Sequence, residues 1–355
     1  MEEILLKTMR LGKTGLEVSR VGIGGIPILR LPEKEAAEVV RFALDLGITF
    51  IDTANAYTSS KKSSEELIGK GVAGRRDQVV IATKTGVRTK KGALKHLQFS
   101  LKRLDTDYID IWQFHGVHNE EAYERIMSPG GAMEAATEAL ESGTIRHIGF
   151  SSHAIDISLK MVESGNFETI QFPVNFVNNE AVEKLIPLTQ KMDVGFIGMK
   201  PFAGGHLRYA DLAIKYLLQF ENVLPDPGVK SFQEIKEIVD VVEGKWELSA
   251  ADEKRMKDIR DKLGTRFCRW CGYCEPCPND VNISWLMNVR LVDSYGDRYF
   301  NNAAKAVETA QKCVQCGECE TKCPYELPIM ETIAANAEWF KNLEPYELHT
   351  SGSIE

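Results

Sequence analysis

A repeated pattern of strands and helices fills the first 230 residues of this 355-residue chain. Short runs of β-branched and apolar residues alternate with helical stretches and recur about every 29 residues, the size of one βα unit. Eight such units predict an α/β fold of the TIM (β/α)8 barrel class. The expected strands begin near Val18, Ile48, Val79, Tyr108, Ile145, Thr169, Val194 and Asn222.

A doubly wound parallel sheet is the competing fold for such an alternation. That fold usually carries a Gly-x-Gly-x-x-Gly turn after an early strand. The run from Gly22 to Pro27 contains three glycines, but their spacing does not fit this pattern. The barrel is therefore the favoured prediction.

The charge and hydropathy of the chain argue against nucleic acid and membrane as binding partners. Acidic residues exceed basic ones to give a formal net charge of -8, and no basic run suggests a surface for nucleic acid. The longest stretch without Asp, Glu, Lys or Arg runs from Thr169 to Asn179, far short of the roughly 18 to 20 apolar residues of a membrane helix. The acidic start lacks the positive region of a signal peptide. We therefore expect a cytoplasmic protein that binds neither nucleic acid nor membrane.

All eight cysteines lie close together near the C-terminal end, in two runs that each end in Cys-Pro. Three cysteines spaced every third residue can ligate one 4Fe-4S cluster, while the fourth ligates the other cluster in two-cluster ferredoxins. The spacing predicts two 4Fe-4S clusters. The first expected ligand set is Cys268, Cys271, Cys274 and Cys323, and the second is Cys313, Cys316, Cys319 and Cys277.

Two tetrahedral zinc sites are the alternative, because zinc also binds Cys-x2-Cys pairs. The third cysteine at the same spacing and the Cys-Pro endings favour iron-sulfur clusters. The first run departs from the usual pattern, since two residues rather than three precede Cys277.

These signals divide the chain into four parts. The barrel takes residues 1–247, a linker helix opened by Ser249 and Asp252 takes 248–264, a small, mainly helical iron-sulfur domain takes 265–335, and a polar tail takes 336–355.

Four ionisable residues mark the ends of consecutive expected strands. Asp52 ends the second strand with Tyr57 five residues later, Lys84 ends the third, and His115 ends the fourth. Barrel enzymes keep their chemistry at these C-terminal strand ends. A lysine held by a buried aspartate lowers the pKa of a neighbouring tyrosine, so the set predicts a group that protonates a carbonyl.

Three segments resemble the aldo/keto reductase superfamily: residues 10–19, residues 50–57 from Phe50 to Tyr57, and residues 148–152. The resemblance extends to the branch with a C-terminal ferredoxin-like 4Fe-4S domain. It implies that Tyr57 donates the proton, that Lys84 and Asp52 adjust the pKa of Tyr57, and that His115 orients the substrate carbonyl.

The resemblance also implies a site for NAD(H) or NADP(H). Nicotinamide would contact Ser151, Ser152 and Gln171. The pyrophosphate would lie against the loop after the seventh strand, and the adenosine end would lie after the eighth. The implied residues of these two loops are Lys200, Pro201, Phe202, Gly204 and Gly205, then Gly228, Lys230, Ser231, Glu234 and Glu237.

Three positions depart from the family pattern. Ser152 stands where asparagine is usual, Glu234 where NADPH-dependent members often have arginine, and Ile238 where asparagine is common. A carboxylate at Glu234 would repel a 2′-phosphate and could accept a hydrogen bond from a ribose hydroxyl. We therefore expect NADH to be favoured over NADPH.

Other histidines lie near the same strand ends. His118, His147 and His153 are expected to be surface or supporting histidines rather than ligands.

The sequence thus predicts an oxidoreductase that reduces a small carbonyl compound, or oxidises the matching alcohol, coupled to a two-cluster electron-transfer domain. A ferredoxin-like redox partner fits such a domain. One alternative is a flavin-dependent or ferredoxin-linked oxidoreductase, because clusters move single electrons, hydride transfer moves two, and a flavin handles both. Another is an electron-transfer subunit whose barrel serves as a docking scaffold.

Overall fold

The computed structural model describes residues 6–59, 62–207, 209–263, 268–292 and 297–343. The chain divides into two compact units, Met1–Met256 and Lys257–Glu355. The division falls inside one helix, Ala250–Leu263.

The first unit begins with an antiparallel hairpin of strands β1 (Thr8–Arg10) and β2 (Glu17–Ser19). An eight-stranded parallel sheet follows, and its strands neighbour one another in chain order. These strands are β3 (Ile23–Gly24), β4 (Phe50–Asp52), β5 (Val80–Thr85), β6 (Ile109–Phe114), β7 (Ile145–Ser151), β8 (Thr169–Pro173), β9 (Gly195–Met199) and β10 (Val223–Asp226).

Helices connect the strands and cover the outside of the sheet. Most of them bury an apolar stripe; the first, for example, buries Val39, Val40 and Ala43. The second begins with a capping box between Ser63 and Glu66. The helices are α1 (Glu33–Asp45), α2 (Ser64–Val72), α3 (Lys90–Leu104), α4 (Glu120–Met127), α5 (Ala132–Glu141), α6 (Ile155–Glu163), α7 (Leu185–Lys191), α8 (Ala210–Leu218), α9 (Phe232–Glu243) and α10 (Ala250–Leu263).

Main-chain contacts between the first and last strands close the sheet into a barrel. Gly22 N donates to Pro225 O over 2.9 Å, and Gly24 N donates to Pro227 O over 2.8 Å. Gly24 also forms a parallel bridge to Gly228, and a Cβ added at Gly228 would lie 2.8 Å from the Pro27 ring. Glycine at position 228 therefore permits the close approach that completes the barrel.

The hairpin plugs the N-terminal end of the barrel. Met9, Leu11 and Val18 pack in one apolar cluster with Phe50, Ile111 and side chains of three other strands. Arg20 follows the hairpin and donates to the carbonyls of Phe220 and Val223, just ahead of and at the start of β10. The plug leaves the C-terminal strand ends as the mouth of the barrel.

The structure confirms the predicted barrel, and seven of its strands begin within two residues of the expected positions. The first expected strand, near Val18, is wrong. Val18 lies in β2 of the hairpin, and the first barrel strand begins at Ile23. Both segments are short and apolar, so the sequence pattern alone does not tell them apart.

The second unit is mainly helical. Beyond the end of α10 it contains α11 (Ile283–Met287), α12 (Asp297–Thr309), α13 (Glu318–Thr321) and α14 (Ile329–Lys341). Ile283, Leu286, Ile333 and neighbouring side chains form its core, and several cysteines pack against that core.

The boundaries expected for this unit differ from the observed elements at one end. Helix α14 continues past residue 335, where the sequence places the end of the domain, and it buries Asn336 and Ala337. Residues 265–267 of the predicted domain and residues 344–355 of the predicted tail lie outside the described residues.

Among the described residues, none of the helices has the length and apolar character needed to cross a membrane.

Candidate active site

A buried ion pair joins the ends of two neighbouring strands. Lys84 Nζ, in β5, donates to Asp52 Oδ1 over 2.5 Å and to Thr53 O over 2.6 Å. Both side chains are almost completely buried, with exposed fractions of 1% and 3%. Burial raises the pKa of Asp52, and the Lys84 cation opposes that rise. The pair fixes a positive charge inside the mouth of the barrel.

Tyr57 and His115 lie next to this pair. Lys84 Nζ is 5.1 Å from the centroid of the Tyr57 ring, and the rings of Tyr57 and His115 meet edge to face with centroids 5.7 Å apart. The loop after β4 carries Tyr57, and His115 follows β6, where its backbone N–H donates to Thr85 O. The structure thus brings together all four residues of the predicted set.

A second buried carboxyl group, Asp226, belongs to the same cluster. It ends β10, and its Oδ2 accepts a 3.0 Å hydrogen bond from Gln171 Nε2. Burial raises the pKa of Asp226 well above its usual range, the charge of Asp52 adds to the rise, and Lys84 opposes it. Two carboxylates beside one cation would leave an uncompensated buried charge, so the cluster favours a protonated Asp226.

Asp226 is absent from the residues singled out in the sequence. The rule that points to Asp52, Lys84 and His115 would also have found it, because Asp226 is the last residue of the last strand. Its setting between Pro225 and Pro227 reads locally as a turn, which hides it.

The residues expected to hold nicotinamide lie along the neighbouring strands. Ser151 ends β7, and its Oγ accepts from Gly116 N over 2.9 Å, while Ser152 Oγ bonds within its own turn to Ala154. Gln171 Oε1 is buried without a hydrogen-bond partner. Because a carboxamide N–H group would satisfy that oxygen, this position fits a nicotinamide ring.

The loop after β9, where the pyrophosphate is expected, is a tight turn with an unusual backbone. Lys200, Ala203, Gly204 and Gly205 all have positive φ values, of 58°, 49°, 69° and 105°. The N–H groups of Ala203 and Gly205 donate to the carbonyls of Lys200 and Phe202 within the loop, so they are not free to bind a phosphate. Among the described residues, nothing lies within 4 Å of a Cβ placed on Gly205, which leaves space beside that residue. Pro201 and Phe202 complete the turn.

The loop after β10 leads into the first turn of α9. Ser231 Oγ caps this helix by accepting from Glu234 N, and Glu234 Oε2 accepts from Lys230 N over 2.8 Å. Glu237, one turn later, accepts from Gln233 Nε2. The Glu234 side chain therefore stabilises the loop through this hydrogen bond and also places a negative charge there.

The cysteines of both expected ligand sets lie in the second unit, and none of them forms a disulfide. Burial raises the pKa of Cys274 to about 12, and the nearby thiols of Cys268 and Cys271 contribute to the rise. Thiols held in such surroundings become stable thiolates when iron binds them.

A cavity lies beside these residues and is lined by five cysteines. Four of its thiols, those of Cys277, Cys313, Cys316 and Cys319, form the ligand set expected for the second cluster. Cys323, the remaining expected ligand of the first cluster, packs half-buried against the helical core. In the part of the chain that the structure describes, no three His, Cys, Asp or Glu side chains are grouped to hold a metal ion.

Comparison with known protein families gives a match for the barrel and another for the cysteine-rich segment. A model of the aldo/keto reductase family matches residues 20–211, and a model of the 4Fe-4S dicluster domain matches residues 267–328.

Two curated relatives come from Bacillus subtilis (strain 168). Aldo-keto reductase YhdN is 37% identical over 191 residues, which are 49% of this chain and 55% of that protein, so the chain spans about half of its length. The uncharacterized oxidoreductase YrpG is 31% identical over 253 residues, which are 60% of this chain and 76% of that protein.

Two solved structures share the barrel. An aldo-keto reductase from Bacillus halodurans, in its holo form, superposes with a TM-score of 0.61 at 26% identity, covering 72% of this chain and 96% of that one. An aldo-keto reductase from Klebsiella pneumoniae in complex with NADPH gives a TM-score of 0.62 at 21% identity, over 72% and 95% of the two chains, and so supports the fold. The chain belongs to the aldo/keto reductase family, as an oxidoreductase that carries a 4Fe-4S dicluster domain after its barrel.

Proposed function

We propose that the barrel reduces a small carbonyl compound, or oxidises the matching alcohol, with a nicotinamide cofactor. The observation that carries this proposal is the contact of Tyr57 with Lys84 and His115 at the mouth of the barrel. In a carbonyl reduction, the substrate oxygen needs a proton donor as negative charge develops on it.

Each of the four side chains has a distinct task in this mechanism. Tyr57 donates its phenolic proton to the carbonyl oxygen, and the Lys84 cation stabilises the phenolate that remains. Asp52 holds the Lys84 ammonium in place through its 2.5 Å hydrogen bond. His115 lies against the Tyr57 ring and orients the carbonyl oxygen toward the phenol. When bound, the nicotinamide supplies a hydride to the carbonyl carbon or accepts one from the alcohol.

Asp226 contributes to this arrangement by carrying a proton. A protonated Asp226 leaves Lys84 with one anionic partner, Asp52, so the positive charge next to Tyr57 is not divided between two carboxylates. Its hydrogen bond to Gln171 also orients the amide that would face the nicotinamide carboxamide.

We further propose that the dicluster domain exchanges electrons with the barrel and with a soluble ferredoxin-like redox partner. Two clusters that each carry one electron match the two electrons of a hydride. We place the protein in the cytoplasm, because a reducing compartment keeps the eight cysteines out of disulfides and available for iron. A flavin would be an additional cofactor able to join one-electron and two-electron steps.

The first test changes Tyr57 to Phe. We expect carbonyl turnover to fall by about 10²- to 10⁴-fold, because the substitution removes a general acid that acts only in the transition state. The dissociation constant of NADH, measured by fluorescence titration, should stay within about twofold. A variant with normal turnover and weakened NADH binding would show instead that Tyr57 has a structural role.

The second test measures the metal content of protein purified without oxygen. We expect about eight iron atoms and eight acid-labile sulfides per chain, as two cubane clusters require. Absorbance of the same sample would reveal any bound flavin. Stoichiometric zinc without labile sulfide would contradict the cluster assignment.

Substitutions of Cys277 and Cys323 by Ser extend that measurement. Cys277→Ser should impair the cluster bound by Cys313, Cys316 and Cys319. Cys323→Ser should impair the cluster bound by Cys268, Cys271 and Cys274. Electron paramagnetic resonance of the reduced protein can distinguish the two clusters.

The third test concerns the choice between NADH and NADPH. We propose that Glu234 disfavours NADPH by repelling its 2′-phosphate, so Glu234→Arg should shift the ratio of kcat/KM toward NADPH by about tenfold or more. Glu234→Gln is the matched control, because its amide oxygen can still accept from Lys230 N while the negative charge is lost. The control should show a smaller shift. A wild-type enzyme that already prefers NADPH would refute this role of Glu234.

The fourth test addresses electron exchange between the two domains. Under anaerobic conditions, chemically reduced clusters are mixed with NAD+ and then with a carbonyl substrate, and the cluster absorbance is followed. Reoxidation in step with alcohol formation is expected, and Tyr57→Phe should suppress the step that requires substrate. Clusters that stay reduced while NADH alone supports turnover would show that the domains act separately.

A further inference from the structure

Three basic residues lie on three different loops after the strand ends of the barrel. Arg88 lies between β5 and α3, His118 between β6 and α4, and Lys200 directly after β9. Arg88 Nη2 donates to Gly116 O over 3.0 Å, and the His118 ring also lies against Gly116, so the two side chains meet at one glycine. The charges of Arg88 and Lys200 both lower the pKa of His118. This positive region belongs to a chain whose net charge is -8, so it contrasts with the rest of the molecule.

Arg88 carries a buried charge that the described carboxylates do not neutralise. Its guanidinium is largely buried, and burial lowers its pKa to about 10. Nη2 donates to the backbone carbonyls of His115 and Gly116 over 2.7 and 3.0 Å, and Nη1 has no hydrogen-bond partner. Within the described parts of the chain, none of the carboxylates forms an ion pair with it. A buried cation without an anion is costly, which points to an anion supplied by a ligand.

His118 presents a hydrogen-bond donor in the same place. Its Nδ1 accepts a 3.1 Å hydrogen bond from the backbone N–H of His153. A backbone N–H can only donate, so the proton of the neutral ring must lie on Nε2. Burial, Arg88 and Lys200 together lower the pKa of His118 to about 4, so the ring stays neutral at physiological pH and keeps this tautomer. Its Nε2 lies over Gly116, next to His115.

We propose that Arg88 and His118 bind a carboxylate group of the carbonyl substrate, so that the barrel acts on small oxo acids and the corresponding hydroxy acids. The guanidinium supplies the positive charge, and His118 Nε2–H supplies a second, neutral donor. Arg88 holds the backbone of His115, the residue that orients the reacting carbonyl, so a carboxylate at Arg88 lies beside that carbonyl. This inference rests on the proposed carbonyl reduction and defines its substrate class.

The pyrophosphate of the cofactor is the other anion that could reach this region. The loop proposed for the pyrophosphate follows β9, whereas Arg88 and His118 follow β5 and β6 on the side of Tyr57 and His115. Only Lys200 belongs to both groups. The position of Arg88 and His118 therefore favours the substrate over the cofactor as the source of the anion.

The experiment compares acids with their uncharged esters. For the holoenzyme with NADH, kcat/KM is measured for 2-oxopentanoate and 4-oxopentanoate and for the methyl ester of each. We expect the wild type to prefer at least one acid over its ester, and Arg88→Met to reduce that preference by about 10- to 100-fold, as expected for a charge-assisted hydrogen bond. Arg88→Lys should retain part of the preference, and His118→Phe should lose part of it.

Two controls separate this role from others. Arg125→Met removes an exposed arginine from α4 and should leave every ratio unchanged. The dissociation constant of NADH should also stay unchanged in Arg88→Met. If NADH binding weakens while acids and esters are affected equally, the anion is the cofactor phosphate and the proposal is overturned.

Other outcomes distinguish this inference from the function on which it rests. Turnover of esters and other neutral carbonyls with no preference for acids would overturn the oxo-acid subsite and leave the carbonyl reduction intact. If no carbonyl is turned over, calorimetry of the NADH-loaded protein with pentanoate and pentanamide still tests the subsite. We expect pentanoate to bind more tightly and to lose that advantage in Arg88→Met. Equal binding of the acid and the amide would refute the subsite.

Discussion

The buried pair of Lys84 and Asp52 is the interaction on which the chemistry of this protein depends. An ammonium and a carboxylate are costly to bury, and the cost is offset only when each is held by the other and by nearby backbone groups. Adjacent parallel strands supply that geometry, because β4 and β5 place the two side chains at the same end of the sheet. The closed barrel then surrounds the pair and keeps water away from it. Removing either partner would leave an uncompensated charge in the interior.

The two units of the chain differ in what stabilises them. The barrel buries a large apolar core and can hold its polar cluster rigidly. The second unit has a smaller core, and six of its cysteines pack against that core without forming disulfides. Because burial disfavours the charged form of Cys274, a bound cluster would supply the interaction that makes this thiolate stable. Cluster binding in this part of the chain would then be coupled to folding.

Sequence patterns predict those site residues whose positions depend on short segments. They miss those whose contacts form only when the barrel closes. The predicted set of Asp52, Tyr57, Lys84 and His115 comes together because strand ends in a parallel barrel converge whatever the details of packing. Asp226 ends the last strand and obeys the same rule, but the flanking Pro225 and Pro227 read locally as a turn, and its place beside Asp52 depends on the last strand meeting the first. For His118, the sequence predicts only a surface or supporting histidine. Its fixed tautomer depends on a backbone N–H that lies 35 residues away in the chain.

The hairpin plug at the N-terminal end determines from which side the ionisable strand ends can be reached. With Met9, Leu11 and Val18 packed into that end, the cofactor and substrate proposed above would approach from the opposite end. If one of two ligands at a shared mouth lay beneath the other, it would have to arrive first and depart last. The steady-state kinetics would then be sequential and ordered, and release of the deeper ligand would be a step that can limit the overall rate.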